Sequence, residues 1–500
     1  MAYLGLDIGT TRCKAGIFDS DGQLLVSASR EYGYSSPHPG WAEQDPLEVW
    51  ELAKEILKEV AQKTPVSPRF LSISTQGEAV IFLDEADNIL RPAILGMDMR
   101  SVEQCMKLAS EFGQDQLLAM AGVPLHPITS LAKILWVKEN QPDIFAKTKK
   151  FLFYEDFMLW KLGGIQVIDY SMACKTMLFD IRSKEWSPQI LDYLEIETNQ
   201  LAQCLPSGEI VGKVDKKMAD ELGLPEDLQI VSGGHDVCCA ALGSGSVVRG
   251  IAADVIGTAE IFSLPVDDYR VVLQIEPHSF SCYDHVIPGK YMLATINQTA
   301  GLLLRWYRDT FRIETLKEEI EKGISSYQIL IDRAKVEPAH IFVLPHLVGS
   351  GTPWIDPLSK AAILGITLNT DEGEIIRAIL ESVVFEQKVS IELFEENGVF
   401  FNEIRAVGGC ARSPFWLQIR ADILGKPVSS LVFEDASVLG AAMLAAFGGG
   451  DFSSLEEIAQ GWVKIKETYF PDEEKHKFYQ ERFEVYKELY PALKEVNRKI

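Results

Sequence analysis

A short pattern occurs twice in this chain, near residue 9 and again near residue 257, and it constrains the fold more than any other feature. An apolar strand runs into a Gly-Thr turn, and a second apolar strand returns from it. Tyr3 to Ile8 leads into Gly9-Thr10-Thr11, and Cys13 to Phe18 continues in strand-like alternation. Ile251 to Ile256 leads into Gly257-Thr258, and Ile261 to Leu264 returns. A hairpin tip of this kind offers backbone N–H groups to an anion, because glycine removes the side-chain obstacle and threonine adds a hydroxyl. Either hairpin alone is an ordinary turn; the pair implies a duplicated domain. Length agrees, since 500 residues exceed the size at which one hydrophobic core stops growing. We expect two domains, 1–247 and 248–500.

The surrounding segments fit an α/β class. After a turn at Asp19-Ser20-Asp21-Gly22, Leu24 to Ser29 supplies a third strand. Pro46 opens a helix whose apolar face is Trp50, Ala53, Ile56, Leu57 and Val60, and Phe70 to Ser74 returns as a buried strand. Farther on, Gly408-Gly409 punctuates the strand-like Ile404 to Val407 and the helical Phe415 to Leu424. This spacing suggests loops from two domains meeting over one nucleotide.

Composition excludes several partners. With 72 acidic against 48 basic residues, a net charge of -24 argues against nucleic acid, so an anionic ligand must be held by local dipoles. Apolar stretches such as Val438 to Phe447 are too short to cross a bilayer, and the N-terminus lacks a charged n-region and a cleavage site, so a cytoplasmic protein is expected. The eight cysteines show neither CxxC pairs nor His partners at metal-ligand spacing, and reduced, buried thiols are expected.

Two acids are candidates for chemistry. Asp7 stands two residues before the first turn and could hold Mg²⁺ through water, since that ion favours one or two carboxylates plus substrate phosphates. Asp236, in Gly233-Gly234-His235-Asp236, stands between the strand Gln229 to Val231 and the small-residue helix Val237 to Leu242. It is either a helix cap, a role Asp favours, or a base facing a cleft that accepts the proton of an attacking hydroxyl. No GxxxxGK[ST] loop, no GxGxxG after a strand, no HRD and no HExxH is present.

These residues resemble the FGGY family of carbohydrate kinases almost end to end. Asp7-Ile8-Gly9-Thr10-Thr11 is similar to the family's first phosphate loop, Gly257-Thr258 to its second, and Gly408-Gly409-Cys410-Ala411-Arg412-Ser413 to its adenosine loop. Ala361 to Ile366, followed by Glu374-Ile375 and Ala378-Ile379-Leu380-Glu381, resembles the C-terminal signature. Ser130, Lys133, Ile134, Trp136 and Val137 resemble the other signature, with Ile128 where a Tyr, Phe, Met or small residue is usual.

The resemblance implies two ribonuclease H-like (actin-like ATPase) domains with a cleft between them, and ATP and Mg²⁺ as cofactors. It implies Asp236 as general base and Asp7 as the residue that organises Mg²⁺. Gly9, Thr10, Thr11, Lys14, Gly257, Thr258, Gly301, Gly408, Gly409 and Ser413 would border ATP, and Val348 to Trp354 would close over the nucleotide side. Sugar contacts would come from Gln76, Gly77, Glu78, Asp98, Arg100 and Asp236.

A ketopentose such as xylulose or ribulose is the first expectation for the acceptor; glycerol, erythritol, deoxyketoses and gluconate remain open. Gly77-Glu78 stands where glycerol kinases carry Arg-Glu, and Gly96 where they carry an aromatic wall, which predicts a roomier pocket; Gln76-Gly77-Glu78 and Val237 stand where xylulokinases usually show Gln-Met-His and an Asn after the catalytic Asp, so neither template fits cleanly. Acidic Glu78 and Asp98 argue against a sugar acid unless a cation intervenes. A non-catalytic actin-like nucleotide-binding protein is the alternative from another class, and a homodimer is left open.

Overall fold

Seven consecutive buried residues form the first strand, β1 (Ala2–Ile8), the signature of a strand covered on both faces. The computed structural model describes residues 1–500. Strand β1 pairs antiparallel with β2 (Arg12–Asp19), which pairs antiparallel with β3 (Leu24–Glu31). Helix α1 (Pro46–Lys63) begins with Pro46 in its first turn and is capped by Asp45, whose carboxylate accepts from the Leu47 N–H. It buries Val49, Trp50, Ala53, Ile56, Leu57 and Val60 against β2 and β3. Strand β4 (Phe70–Thr75) then lies parallel to β1.

A helical insertion follows, containing α2 (Ser130–Asn140) and α3 (Tyr170–Thr176). The chain returns through β5 (Ile210–Lys213) and β6 (Gln229–His235), giving the sheet order β5-β6-β4-β1-β2-β3, and continues into α4 (Asp236–Gly243). The strand expected over Gln229 to Val231 thus runs on through Gly233-Gly234-His235, after a register irregularity between Val231 and Gly234.

The second half repeats this plan. Strands β7 (Ile251–Ile256) and β8 (Glu260–Val266) form the second hairpin, and β9 (Ser281–Asp284) and β10 (Tyr291–Asn297) extend the sheet beside β8. Helices α5 (Gly301–Phe311) and α6 (Glu372–Glu396) precede β11 (Glu403–Val407), which is parallel to β7. Helix α7 (Pro414–Leu424) leads to β12 (Val428–Leu431), parallel to β11, and α8 (Ala436–Gly448) follows. Strand β13 (Ile465–Tyr469) and helix α9 (Glu473–Asn497) complete the chain. The order is β9-β10-β8-β7-β11-β12-β13. In both sheets a first strand is flanked by an antiparallel hairpin on one side and two parallel strands on the other, the expected α/β duplication.

The helices that follow the last parallel strands, α4 and α8, cross each other, and α8 lies on the sheet of the first half. Small residues make this crossing close. A Cβ on Gly440 would stand 1.9 Å from the Cys239 carbonyl oxygen, one on Gly243 1.9 Å from that of Ala436, and one on Gly5 2.2 Å from that of Val438. No other residue fits these positions without separating the backbones.

The two halves also meet at β9. The Cys282 N–H donates to the Gly122 carbonyl at 2.7 Å, and Lys184 pairs with Asp284. On the far side, α6 and α9 are joined by a buried network: Arg377 donates to Glu381 at 2.6 Å and to Tyr479 at 2.5 Å, and Tyr479 donates to Glu381 at 2.6 Å.

Candidate active site

The first hairpin is braced by hydrogen bonds to its own turn and to two side chains. The Gly9 N–H closes the turn on the Arg12 carbonyl at 3.0 Å. The Tyr32 hydroxyl donates to the Gly9 carbonyl at 2.6 Å and the Gln44 amide to that of Thr10 at 3.0 Å. Thr11 is exposed. Gln76 is buried, its amide donating to Gln44 Oε1 at 3.2 Å and to the Gly9 carbonyl at 3.5 Å. The expectation of a direct sugar contact from Gln76 is therefore corrected: it braces the hairpin.

Asp7 is the penultimate residue of β1, with 6% of its surface accessible, and the Ser74 hydroxyl donates to its Oδ1 at 2.8 Å. Burial pushes its carboxyl above the ordinary range, opposed by the Ser74 bond and by the charge of Lys14. Lys14 itself pairs with Asp435, just ahead of α8.

Asp236 is not a cap. His235 holds the cap position without a side-chain capping bond, and Asp236 is the first residue of α4. Its side chain is 32% accessible, and its neighbours His235 and Val237 line the cavity described below. Burial, then the negative charges of Asp7 and Glu78, push its carboxyl up to about 8, while the Val237 amide and Lys175 pull the other way. His235 Nε2 lies 3.1 Å from its Oδ1.

A cavity of about 410 Å³ opens beside this acid, lined from the first half by Glu78, Lys175, His235 and Val237 and from the second by Ile261 and Tyr283. Glu78 takes a left-handed backbone, φ 61°, a costly conformation that must be held by its surroundings. The Ser130 hydroxyl and the Lys133 ammonium do so, donating to the Glu78 carbonyl at 2.9 and 3.0 Å. Lys133 is fully buried, and burial brings its ammonium down to about 7 despite the nearby Glu78 charge. The Glu78 carboxylate pairs with Lys175 at 2.6 Å. Burial, the largest single influence, would raise its pKa, but Lys175, His235 and Lys133 together outweigh it and hold the carboxyl below the ordinary range.

Asp98 and Arg100 are part of the wall. Asp98 accepts from the Ala42 N–H at 2.6 Å and pairs with Arg100 at 2.7 Å; Arg100 also reaches Glu43 at 2.7 Å and lies 3.7 Å from the centre of the Trp41 ring. Neither side chain has accessible surface, which corrects the expectation that they hydrogen-bond sugar hydroxyls. The charge argument against a sugar acid falls too, because Lys175 neutralises Glu78 and Arg100 neutralises Asp98. Gly96 does open space at the wall, and Glu78 uses it: a Cβ on Gly96 would stand 3.3 Å from Glu78 Oε2.

On the other half, the glycine segments meet. The Gly301 N–H donates to the Gly257 carbonyl, and the Ala300 N–H to that of Thr258, each at 3.0 Å. A Cβ on Gly301 would stand 2.7 Å from the Gly257 oxygen and 3.0 Å from Cys410 Sγ, and one on Gly408 2.7 Å from the Ile256 oxygen. Thr258 and Gly409 are exposed at the tips. Ser413 is buried and caps α7, accepting from the Trp416 N–H at 3.3 Å. The segment Val348 to Trp354 is anchored rather than free: the Thr352 N–H donates to the Ile296 carbonyl at 2.8 Å, and Trp354 stacks on Tyr490 with centroids 4.7 Å apart.

Lys175, Tyr283 and Gln44 were not anticipated. Only Lys175 carries a local signal, as the single charge in the run Tyr170 to Phe179.

Comparison with known proteins finds matches along nearly the whole chain. The family model described as the FGGY family of carbohydrate kinases, N-terminal domain, matches residues 2–243, and the corresponding C-terminal domain model matches residues 253–449. The chain is 30% identical over 504 residues to a xylulose kinase of Staphylococcus epidermidis, covering 99% of this chain and 97% of that one. Among solved structures, a ligand-bound xylulose kinase from Lactobacillus acidophilus superposes with a TM-score of 0.91 at 25% identity, covering 98% of each chain. A gluconate kinase from the same organism superposes with a TM-score of 0.90 at 25% identity, again with 98% of each chain covered.

Proposed function

The chain belongs to the FGGY family of carbohydrate kinases, and from that premise we propose that it transfers the γ-phosphoryl group of ATP to a hydroxyl of a ketopentose, xylulose first. The observation that carries this reading is the Asp236 side chain, 32% accessible at the start of α4 and flanked by His235 and Val237, which line the cavity. Asp236 is the general base: its raised proton affinity suits it to take the proton of the attacking hydroxyl as the new P–O bond forms. Glu78 and Lys175 bind and orient the acceptor in the cavity. The N–H groups and hydroxyls of Thr10-Thr11 and Thr258, beyond the turn-closing N–H groups of Gly9 and Gly257, hold the phosphates, and Gly301, Gly408 and Gly409 leave room for the nucleotide.

No group of three or more His, Cys, Asp or Glu is placed to hold a metal. A single buried carboxylate, Asp7, fits a Mg²⁺ ion that arrives on the phosphates and keeps most of its waters. When bound, the ion neutralises charge on the transferring phosphoryl group. The protein's own part is to position the hydroxyl and, by closing the cleft, to exclude water that would hydrolyse ATP. The boundary between the domains is put at residues 247/248, between α4 and β7, supported by the gap between the two family matches. ATP as donor favours a cytoplasmic address.

A second acceptor is favoured by one observation, the neutralised Glu78–Lys175 pair, which does not repel a carboxylate and so admits an aldonate such as gluconate. Coupled ADP release with ketoses, polyols and aldonates tests both readings. Stimulation by xylulose above the basal ATPase is expected; stimulation by gluconate alone shifts the assignment, and stimulation by none overturns it.

A further inference from the structure

We infer that His235 and Tyr283 are positioning residues that hold the Asp236 carboxylate in its reacting orientation, through a line of polar contacts running from one half of the molecule to the other. The inference rests on the reading of Asp236 as the base. Tyr283 OH is hydrogen-bonded to His235 Nδ1 at 3.0 Å, and His235 Nε2 lies in polar contact 3.1 Å from Asp236 Oδ1, close enough for a small turn of the carboxylate to complete the second bond. Both relay side chains are buried.

Chemistry sets the direction of each bond. An ionised carboxylate only accepts, so the imidazole must present Nε2–H to the reacting form of Asp236. A neutral imidazole then has a bare Nδ1, and the Tyr283 O–H supplies its proton. Burial keeps His235 neutral, bringing it down to about 3, and keeps the Tyr283 phenol protonated well above its ordinary range.

Both ends of the relay are fixed. The His235 N–H donates to Ser171 Oγ at 2.9 Å. Tyr283 is on β9, the strand tied to the first half through Gly122 and Lys184. Gly77 completes the arrangement, since a Cβ there would stand 2.9 Å from both Nε2 and Cδ2 of His235. The imidazole occupies space that any larger residue at 77 would take. The other groups acting on Asp236 are Asp7 of β1, Glu78 after β4, Lys175 of α3 and the Val237 amide of α4, and all are retained in the variants below.

The test uses the full chain with ATP and its acceptor sugar, comparing Tyr283→Phe, His235→Leu, His235→Gln and Gly77→Ala with wild type. Losing a hydrogen bond to a charged group predicts a fall in kcat of about 10–100-fold for His235→Leu, with sugar KM changed less than about threefold. Removing a donor to the ionised carboxylate disfavours that form, so the rising limb of kcat/KM moves to higher pH. Tyr283→Phe, which removes one oxygen, shifts the limb the same way by less, and adding it to His235→Leu costs little more, as for residues acting as a unit. Gly77→Ala reproduces the His235→Leu profile, and His235→Gln, which restores an N–H donor, partly recovers it.

Folded Tyr283→Phe and His235→Leu proteins with unchanged pH limb and kcat, alongside an inactive Asp236→Asn, overturn the relay and leave the base intact. A fall in kcat with no limb shift and no recovery in His235→Gln also overturns it. An active Asp236→Asn overturns the base itself.

Discussion

Replacing Asp236 by Asn tests the proposed chemistry most directly, and its effect depends on pH in a way the site dictates. General-base assistance contributes about 10²–10⁴-fold, or roughly 3–5 kcal/mol of barrier. With its carboxyl pushed up to about 8 by burial and by Asp7 and Glu78, the wild-type base is only about one-tenth ionised at pH 7 and about nine-tenths at pH 9. Wild-type kcat/KM should therefore rise about tenfold between those pH values, whereas the Asn variant, having lost the titrating group, should be nearly flat. The ratio of the two then grows about tenfold over the same interval. Steady-state ADP release from pH 6 to 9.5, with calorimetry to show that ATP still binds, provides the assay. A wild-type profile already level at pH 6, or a ratio that does not change with pH, would refute the reasoning. Stability offers a second readout. Folding raises this carboxyl's pKa, so its ionisation opposes folding: the penalty is absent below pH 4, builds up to about 8, and is complete above it. Asp236→Asn should raise the melting temperature at pH 9 and leave it unchanged at pH 4.

Gly257→Val, which crowds the second hairpin beside Gly301, should weaken ATP binding in calorimetry with the fold retained. Lys133→Met removes a donor from the Glu78 carbonyl; sugar KM should rise about tenfold and ATP KM should stay constant, read from paired saturation curves. Arg377→Met leaves Glu381 buried without its cation and should cost about 3–5 kcal/mol in urea unfolding, with both KM values unchanged. Gly440→Val forces apart α4 and α8 where a Cβ would stand 1.9 Å from a carbonyl oxygen; a loss of at least about 1–3 kcal/mol is expected in thermal unfolding.

The hairpins were legible because each is a local object, two apolar segments and a turn, and local patterns survive in sequence. The residues most like the family signatures were legible as positions but not as purposes. Ser130 and Lys133 fasten the Glu78 backbone, and Glu381, through Arg377 and Tyr479, binds α6 to α9, so these signature residues serve the scaffold. Gln76, Asp98 and Arg100 are expected as sugar contacts because the family resemblance puts them there, yet sequence does not say which way a side chain turns. Tryptophans 41 and 136 and Glu43 draw Arg100 inward, and those partners are distant in the chain. Whether Asp236 caps its helix depended on a one-residue difference in where α4 begins, finer than sequence pattern resolves. Tyr283 comes from another sheet altogether, and no spacing announces it.

The glycine crossing of α4 and α8 has a mechanical consequence. Two backbone contacts without intervening side chains, at Gly440 and Gly243, form a bearing between these helices. Points close to a fulcrum travel least, and Asp236 begins one of the two crossing helices. A rotation of one half over the other about this bearing would leave the acid nearly in place.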